Sequence, residues 1–350
     1  FRDFLFYSIF AQMLYQFRKI AEKHQLWNDD DTLLIAVSGG LDSMVLLDLC
    51  RQLYNPIAVA HCNFQLRGDD ADADEKLVQE ICLQHKIQFH LKRFDTKNYA
   101  EQNGISIEMA ARDLRYAYFE ELCKQHGYAK IVTAHHANDN AETLLLNLTK
   151  GTGIKGLTGI PRKRENIVRP LLAFTRDELQ EYAEANLLKY HNDETNSNVI
   201  FQRNKIRHKV LPLLEEINPS AVQTLNADAE RLQEVREIYD NFVQERLEKI
   251  VAKNTILITD LAKEKYAKSL LFEWLQTFGF SATVVDNVLA TLLETEEKQF
   301  FAGKYRLIKS RGKLEVVTKT IQNKEVFEVG KSGISTPICL KIGAFDGNFK

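Results

Sequence analysis

Cysteine is scarce and scattered in this chain. The five cysteines, Cys50, Cys62, Cys82, Cys123 and Cys339, form no Cys-x-x-Cys pair, and their number is odd. A disulfide framework, a zinc ribbon or an iron–sulfur site needs clustered spacing, so a reduced, cytoplasmic setting is the simpler expectation. Long apolar runs are missing too. The segment Phe1 to Gln12 is rather apolar, but it contains Arg2 and Asp3 and is too short to cross a bilayer. It lacks a basic start followed by a small-residue cleavage site, so no signal peptide is read there and no membrane is expected among the partners. Neither sign of charge is in excess: the formal net charge is -2, with 27% charged residues. A polyanionic partner must therefore be met by a local basic patch. Two catalytic signatures are absent as well. No Gly-x-x-x-x-Gly-Lys-[Ser/Thr] occurs, which excludes a Walker-type NTPase, and no His-Glu-x-x-His occurs, so His135-His136 is not read as zinc ligation. Gly151-Thr152-Gly153-Ile154-Lys155-Gly156 matches Gly-x-Gly-x-x-Gly, but it follows a helical pattern rather than a strand and is not read as a dinucleotide fingerprint.

What is present begins with size. A chain of 350 residues with 45% hydrophobic content can bury a sizeable core and suggests two or three domains. From residue 32 to about 150, short β-rich runs alternate with helical patterns. Strands are expected at 32–37, 57–61, 87–91 and 131–134, and helices at 41–53, 69–84, 107–126 and 138–150, with Ser106 capping and Gly127 stopping the third. This alternation predicts an α/β domain with a doubly wound parallel sheet, whose ligands bind beyond the carboxyl ends of the strands. Thr175-Arg176-Asp177-Glu178 reads as a capping box opening a helix to about residue 188. Asn218-Pro219 reads as the start of a long helix, with helices over about 260–278 and 281–293 after it and a hairpin around Arg311-Gly312. The expected domains are 13–216, a smaller mainly helical domain over 217–318, and a tail, 319–350, without a clear pattern.

The turn between the first strand and first helix is Ser38-Gly39-Gly40-Leu41-Asp42-Ser43. Glycines let a backbone turn tightly against a phosphate, and hydroxyls and N–H groups at a helix N-terminus point at the anion. This turn resembles the PP-loop of the ATP pyrophosphatase superfamily, an adenine nucleotide alpha hydrolase-like fold. Its members cut ATP between the α- and β-phosphates and activate a carbonyl oxygen as an adenylate. Asp42 fits that chemistry, because a carboxylate beside polyphosphate is repelled unless Mg²⁺ bridges the two.

Further motifs follow in order: His61-Cys62-Asn63-Phe64-Gln65-Leu66-Arg67, then Glu108 to Tyr116, then Thr133 to Thr143. Arg169-Pro170-Leu171-Leu172, Asp193-Glu194-Thr195-Asn196 and Arg203-Asn204-Lys205-Ile206-Arg207 complete the set. Together they resemble the bacterial tRNA(Ile)-lysidine synthase family over about residues 32–215, and more loosely to 318. The family often has His-x-Asn-His where this chain has His61-Cys62-Asn63-Phe64; Phe64 offers a flat surface near the nucleotide instead. The resemblance implies a two-step reaction. ATP adenylates the ring carbonyl of the wobble cytidine in an isoleucine tRNA with a CAU anticodon, and the ε-amine of free L-lysine then displaces AMP. It places Ala36, Ser38, Gly39, Gly40, Leu41, Asp42, Ser43 and His61 at the ATP, with Asp42 as the Mg²⁺ ligand.

The residue types suit that chemistry. Asp139 and Glu142 are three apart, so they share a helix face and match a substrate with two amino groups; one of them could take the proton released by the attacking amine. Arg112 and Arg115 are also three apart and suit phosphate oxygens and the charge that develops in adenylation; helix-surface pairing with Glu108 or Glu120 is the plainer reading. His135 is a phosphate contact or a structural strand-end histidine, and His61 is open to the same two readings. For tRNA, residues 203–209 hold Arg203, Lys205, Arg207, His208 and Lys209 without an acid. Arg162, Lys163, Arg164 and Arg169 form a second basic group, and residues 301–331 a third; solvated faces are the plainer reading of each. Phe201 and Tyr305 are candidate stacking surfaces with the core as default. A homodimer is one assembly left open. Two other functions stand beside the ligase: a thiolating PP-loop enzyme acting on tRNA, which would rely on reactive cysteines, and a non-catalytic nucleotide-dependent RNA-binding protein.

Overall fold

Leu33, Leu34 and Ile35 have no polar face to offer water, and they form a strand buried on both sides. Everything in the first unit is arranged around that strand. The structure, a computed structural model, describes residues 2–54, 56–191 and 200–319. The Asp193–Asn196 motif, Cys339 and the tail from residue 320 lie outside the described residues. The chain divides into two compact units, Phe1–Ile238 and Tyr239–Lys350.

In chain order the first unit runs α1 (Arg2–Lys23), β1 (Leu33–Ala36), α2 (Leu41–Leu53), β2 (Ile57–Asn63), α3 (Asp69–Gln84), β3 (Gln88–Arg93), α4 (Thr96–Asn103), α5 (Ile107–His126), β4 (Lys130–Val132) and α6 (Ala137–Lys150). A one-turn α7 (Ile154–Leu157), the small hairpin β5 (Lys163–Arg164) and β6 (Ile167–Val168), and α8 (Arg176–Ala185) follow. Then α9 (Ile200–Lys205) continues through a π-helical turn, Ile206–Val210, into α10 (Leu211–Ile217), and α11 (Ala221–Ile250) crosses the unit boundary. The sheet order is β3-β2-β1-β4-β6-β5, parallel except for β5. The chain winds outward from β1 to β3 and then returns to β4 on the other side of β1. The point where the winding reverses therefore lies between β1 and β4, which is where open α/β sheets bind ligands.

Alternation along the strands feeds two cores. Leu33, Ile35, Val59 and Val132 pack with Phe17 of α1, Leu46 and Leu49 of α2, and Tyr182 of α8. Leu34, Ala58, Ala60 and Ile131 pack with Tyr118, Phe119 and Leu122 of α5. The expected α5 is reproduced to the residue: Ser106 Oγ accepts the Met109 N–H at 3.2 Å and Gly127 ends the helix at φ 75°. The capping box of α8 is also formed, with Thr175 N–H donating to Glu178 at 2.7 Å and Glu178 N–H to Thr175 Oγ1 at 3.3 Å. Gly151 closes α6 at φ 71°, so the Gly-x-Gly-x-x-Gly run is a helix stop followed by a short helix.

Several expectations need correction. Helix α1 was not read in the sequence, although Met13, Phe17 and Ala21 are buried with it. It begins in the apolar N-terminal segment, yet no helix among the described residues is long and apolar enough to cross a membrane. The long helix starts at Ala221, not at Pro219: Asn218 Oδ1 accepts the Ser220 N–H at 3.0 Å and its carbonyl accepts the Ala221 N–H at 2.8 Å, a turn placed before the helix.

The second unit combines helices with an antiparallel sheet. It contains β7 (Val251–Ala252), β8 (Thr255–Leu257), α12 (Ile258–Lys263), α13 (Ala267–Gln276), α14 (Ala282–Ala290), β9 (Lys298–Ala302), β10 (Tyr305–Ser310) and β11 (Lys313–Thr318). Its sheet is antiparallel, in the order β7-β8-β11-β10-β9. The expected 260–278 helix is two helices, because Glu264 is extended and its carboxylate is held by Arg246 at 2.9 and 3.0 Å. The β10–β11 hairpin is as expected; both turn residues, Arg311 (φ 47°) and Gly312 (φ 75°), are left-handed, the signature of a two-residue type I′ turn. Ile256, Leu271, Trp274, Leu275, Leu307 and Leu314 form its core.

Candidate active site

The carboxyl ends of β1 and β4 each lead through a short loop into a helix whose first turn carries an aspartate: Asp42 on α2 and Asp139 on α6. Two helix N-termini therefore face the crevice at the winding reversal, where their free N–H groups favour anions.

The Ser38–Ser43 loop is organised around one hydroxyl. Ser43 Oγ accepts from the N–H groups of Ser38 (3.1 Å) and Gly39 (3.2 Å) and donates to Gly40 O at 2.9 Å. Gly39 has φ 97°, and a Cβ there would stand 3.0 Å from Asp74 Oδ1, so glycine is required both by conformation and by space. Asp74 is itself pinned, accepting from His191 Nδ1 at 2.7 Å and Arg67 Nη2 at 3.0 Å, while the His191 N–H donates to Gly39 O at 3.1 Å. The Leu41 side chain is in the core, so only its backbone is free to meet a ligand. His61 is buried, and its Nδ1 donates to Val37 O at 2.8 Å; burial lowers its pKa, leaving a neutral ring with Nε2 as acceptor.

A histidine joins the two aspartates. His136 Nε2 lies 3.6 Å from Asp42 Oδ2 and 3.5 Å from Asp139 Oδ2, and its backbone N–H donates to Asp139 Oδ2 at 3.1 Å. Arg176 Nη1 stands 3.7 Å from Asp42. Burial raises the Asp42 pKa, against the pull of His136 and Arg176, and its Oδ1 is buried with no hydrogen-bond partner among the described residues. For Asp139, burial pushes upward, but His136, His135 and Arg207 outweigh it and hold the carboxyl below its usual range. Glu142, one turn further along α6, is fully buried and takes the Arg207 guanidinium in a two-point grip, Nε at 2.6 Å and Nη2 at 3.2 Å; Arg207 Nη2 also reaches Asp139 at 3.4 Å. Asp139 and Glu142 thus share one face, as their spacing requires, and that face already binds a planar cation.

His135 sits among arginines. Its Nδ1 is 3.1 Å from Thr133 Oγ1, and its pKa is lowered to about 4, first by burial and then by Arg169, Arg115 and Arg203. Neither Arg112 nor Arg115 pairs with Glu108 or Glu120; each lies over an aromatic ring instead, Arg112 over Tyr116 at 5.3 Å and Arg115 over Phe64 at 5.2 Å. The arrangement provides cationic groups that can meet phosphates beside a carboxylate pair that can meet an amine.

The expected tRNA residues divide by direction. Arg203 and Arg207, four apart on one helical face, turn inward: Arg203 donates to Thr143 Oγ1 at 2.7 Å and Arg207 grips Glu142. Lys205, His208 and Lys209 are exposed. In the second basic group, Arg162 pairs with Glu230 at 2.6 Å, Lys163 Nζ donates to Gln25 O at 2.8 Å and Arg169 is buried, donating to Pro161 O at 2.7 Å. Three residues of that group are thus engaged within the protein, and Arg164 is exposed. Sequence reasoning missed Asp74, His191, Arg176 and the bridging part of His136. Only Asp74 left a signal: Ala71, Asp74, Glu75, Val78 and Cys82 follow core-facing helical spacing, which flags a buried acid.

Against this geometry, two family models match. One, described as a PP-loop domain, covers residues 10–214; the other, described as the TilS substrate binding domain, covers residues 251–320. The tRNA(Ile)-lysidine synthase of Parabacteroides distasonis is 39% identical over 316 residues, spanning 90% of this chain and 72% of that protein. The chain belongs to the tRNA(Ile)-lysidine synthases. The Porphyromonas gingivalis member is 37% identical over 326 residues (91% of this chain, 72% of that one), and the Bacteroides thetaiotaomicron member 39% over 297 (85% and 70%). Among solved structures, the U34-tRNA thiolase NcsA from Methanococcus maripaludis superposes with a TM-score of 0.55 at 18% identity, covering 65% of this chain and 80% of its own. That likeness is one of fold. The four described cysteines are free thiols, and burial raises all of them, Cys62 and Cys82 to about 12, the opposite of the lowering that activates a thiol.

Proposed function

We infer that the protein ligates free L-lysine to the wobble cytidine of isoleucine tRNA with a CAU anticodon, consuming ATP and giving lysidine, AMP and pyrophosphate. The observation that carries this reading is the pairing of the PP-loop at the end of β1 with the Asp139–Glu142 face at the end of β4, bridged by His136. In the first step the cytidine carbonyl oxygen attacks the α-phosphate and pyrophosphate leaves. The Ser38–Ser43 loop holds the departing phosphates, and Arg112 and Arg115 stabilise the charge that develops. Neutral His135 supplies a further polar contact to phosphate or nucleotide.

Mg²⁺ fits one group of this chain. Asp42 Oδ1 is a buried carboxylate oxygen without a partner among the described residues, the hard donor that Mg²⁺ takes when phosphates supply further ligands. Mg²⁺ held there would offset phosphate charge as pyrophosphate departs. In the second step the lysine ε-amine attacks the activated ring carbon and AMP leaves. Asp139 and Glu142 receive the amino groups, sharing or displacing the Arg207 guanidinium, and one of them takes the released proton. Lys205, His208 and Lys209 face outward to meet tRNA phosphates. A reducing compartment such as the cytoplasm suits the free thiols.

Incorporation of labelled lysine into an isoleucine tRNA transcript tests the reading. Labelling should require ATP and Mg²⁺ and vanish when the wobble cytidine is replaced. Pyrophosphate release on tRNA addition without lysine incorporation would point to another nucleophile and overturn it.

A further inference from the structure

Phe64 lies immediately after β2, at the same edge of the sheet as the PP-loop. Its position is set from several sides. Phe64 O accepts from Thr96 Oγ1 at 2.9 Å, and its ring stacks on Phe94 with centroids 5.6 Å apart and planes 19° from parallel. Phe94 in turn meets Tyr118 edge-to-face at 6.1 Å, and its N–H donates to Asn63 O at 2.8 Å. The ring is thus half-buried on a stack that reaches the core.

Arg115 is the opposite case. It is exposed, and among the described residues it has no ion pair; its guanidinium carbon lies 5.2 Å from the Phe64 centroid. A guanidinium on an unbraced stem samples many rotamers, and ordering it at the moment of reaction would slow the step. The negative face of a phenyl ring attracts the guanidinium, and unlike histidine it never carries a charge that would repel it.

We propose that Phe64 is the positioning residue for Arg115: its ring face holds the guanidinium pre-oriented at the carboxyl edge of the sheet for the adenylation step. This rests on the role assigned above to Arg115. Phe94 and Thr96 are then the supports of that ring.

The test is pyrophosphate release on tRNA addition, followed as kcat and as KM for ATP in the full chain. Phe64→Leu, which keeps the apolar volume but loses the π face, should lower kcat about five- to tenfold with KM for ATP within about twofold. Phe64→Tyr should restore kcat to within about twofold. In an Arg115→Ala background, Phe64→Leu should add no further loss. Phe64→His should gain activity as pH rises through about 6.5, a step absent from the unmodified protein. A wild-type rate for Phe64→Leu, or an undiminished loss in the Arg115→Ala background, would overturn the proposal. So would a raised KM for ATP with kcat kept, since the ring would then be a nucleotide platform. A wild-type rate for Arg115→Ala alone would remove the role of Arg115 and the proposal with it, while leaving the lysine-incorporation result untouched.

Discussion

At the residue scale, Asp42, the proposed Mg²⁺ ligand, carries a cost in stability. Its carboxylate is partly buried, Oδ1 has no hydrogen-bond partner among the described residues, and burial raises its pKa. An acid whose folded pKa lies above its unfolded value weakens the fold when ionised, so at neutral pH Asp42 opposes stability. Asp42→Ala should therefore abolish pyrophosphate release while leaving the thermal midpoint unchanged or raised. A lowered midpoint would mean that the side chain supports the fold. Glu142 behaves in the other way. Removing it strips Arg207 of its two-point partner, and hydrogen bonds to charged groups contribute about 1.5–3 kcal/mol. Glu142→Ala should cost about 2 kcal/mol in urea unfolding and raise KM for lysine more than tenfold. ATP-dependent pyrophosphate release on tRNA addition should remain. If that half-reaction is lost as well, Glu142 acts before lysine does.

At the scale of elements, capping chemistry was the most legible. Ser106, Gly127 and Thr175 each satisfy orphan groups of their own helix, so neighbours in sequence suffice to read them. Elements whose existence depends on distant partners were not legible. Helix α1 is secured by Phe17, which is fully buried against α2 and α8, residues that no local pattern connects to it. Phe17→Ala should destabilise the first unit by about 3–5 kcal/mol, read from the urea midpoint; a change below about 1 kcal/mol would show that α1 docks by other residues. The break between α12 and α13 has the same origin, since Arg246 on α11 captures Glu264. The β7 and β8 strands, two and three residues long, are too short to announce themselves without their antiparallel neighbours.

At the scale of the whole molecule, histidines kept neutral by full or partial burial contribute to the response to pH. Burial lowers His24, His61, His90 and His135, the last to about 4. Below about 6.5 the unfolded chain binds protons at these sites, whereas folded His135 does not until pH approaches 4. The unfolded state then holds more protons, so stability rises with pH across that window and is lost as pH falls through it. Urea midpoints should drop steadily from pH 7 to pH 4.5, and less steeply for His135→Asn. A flat profile would mean that these rings are hydrated.

The sequence by itself determined the types and the order of the candidate site residues: the PP-loop, the acidic pair three apart on α6 and the arginine pair on α5. Each is a local pattern that backbone geometry turns into a shared face or a loop. Only the tertiary structure decided their company. It brought β1 beside β4, so that His136 joins Asp42 to Asp139. It turned Arg203 and Arg207 inward although they read as part of a surface patch, and it set Arg115 on Phe64 rather than on a glutamate. The direction in which a long charged side chain points depends on which partner the fold brings within a few ångströms, and that partner is distant in sequence.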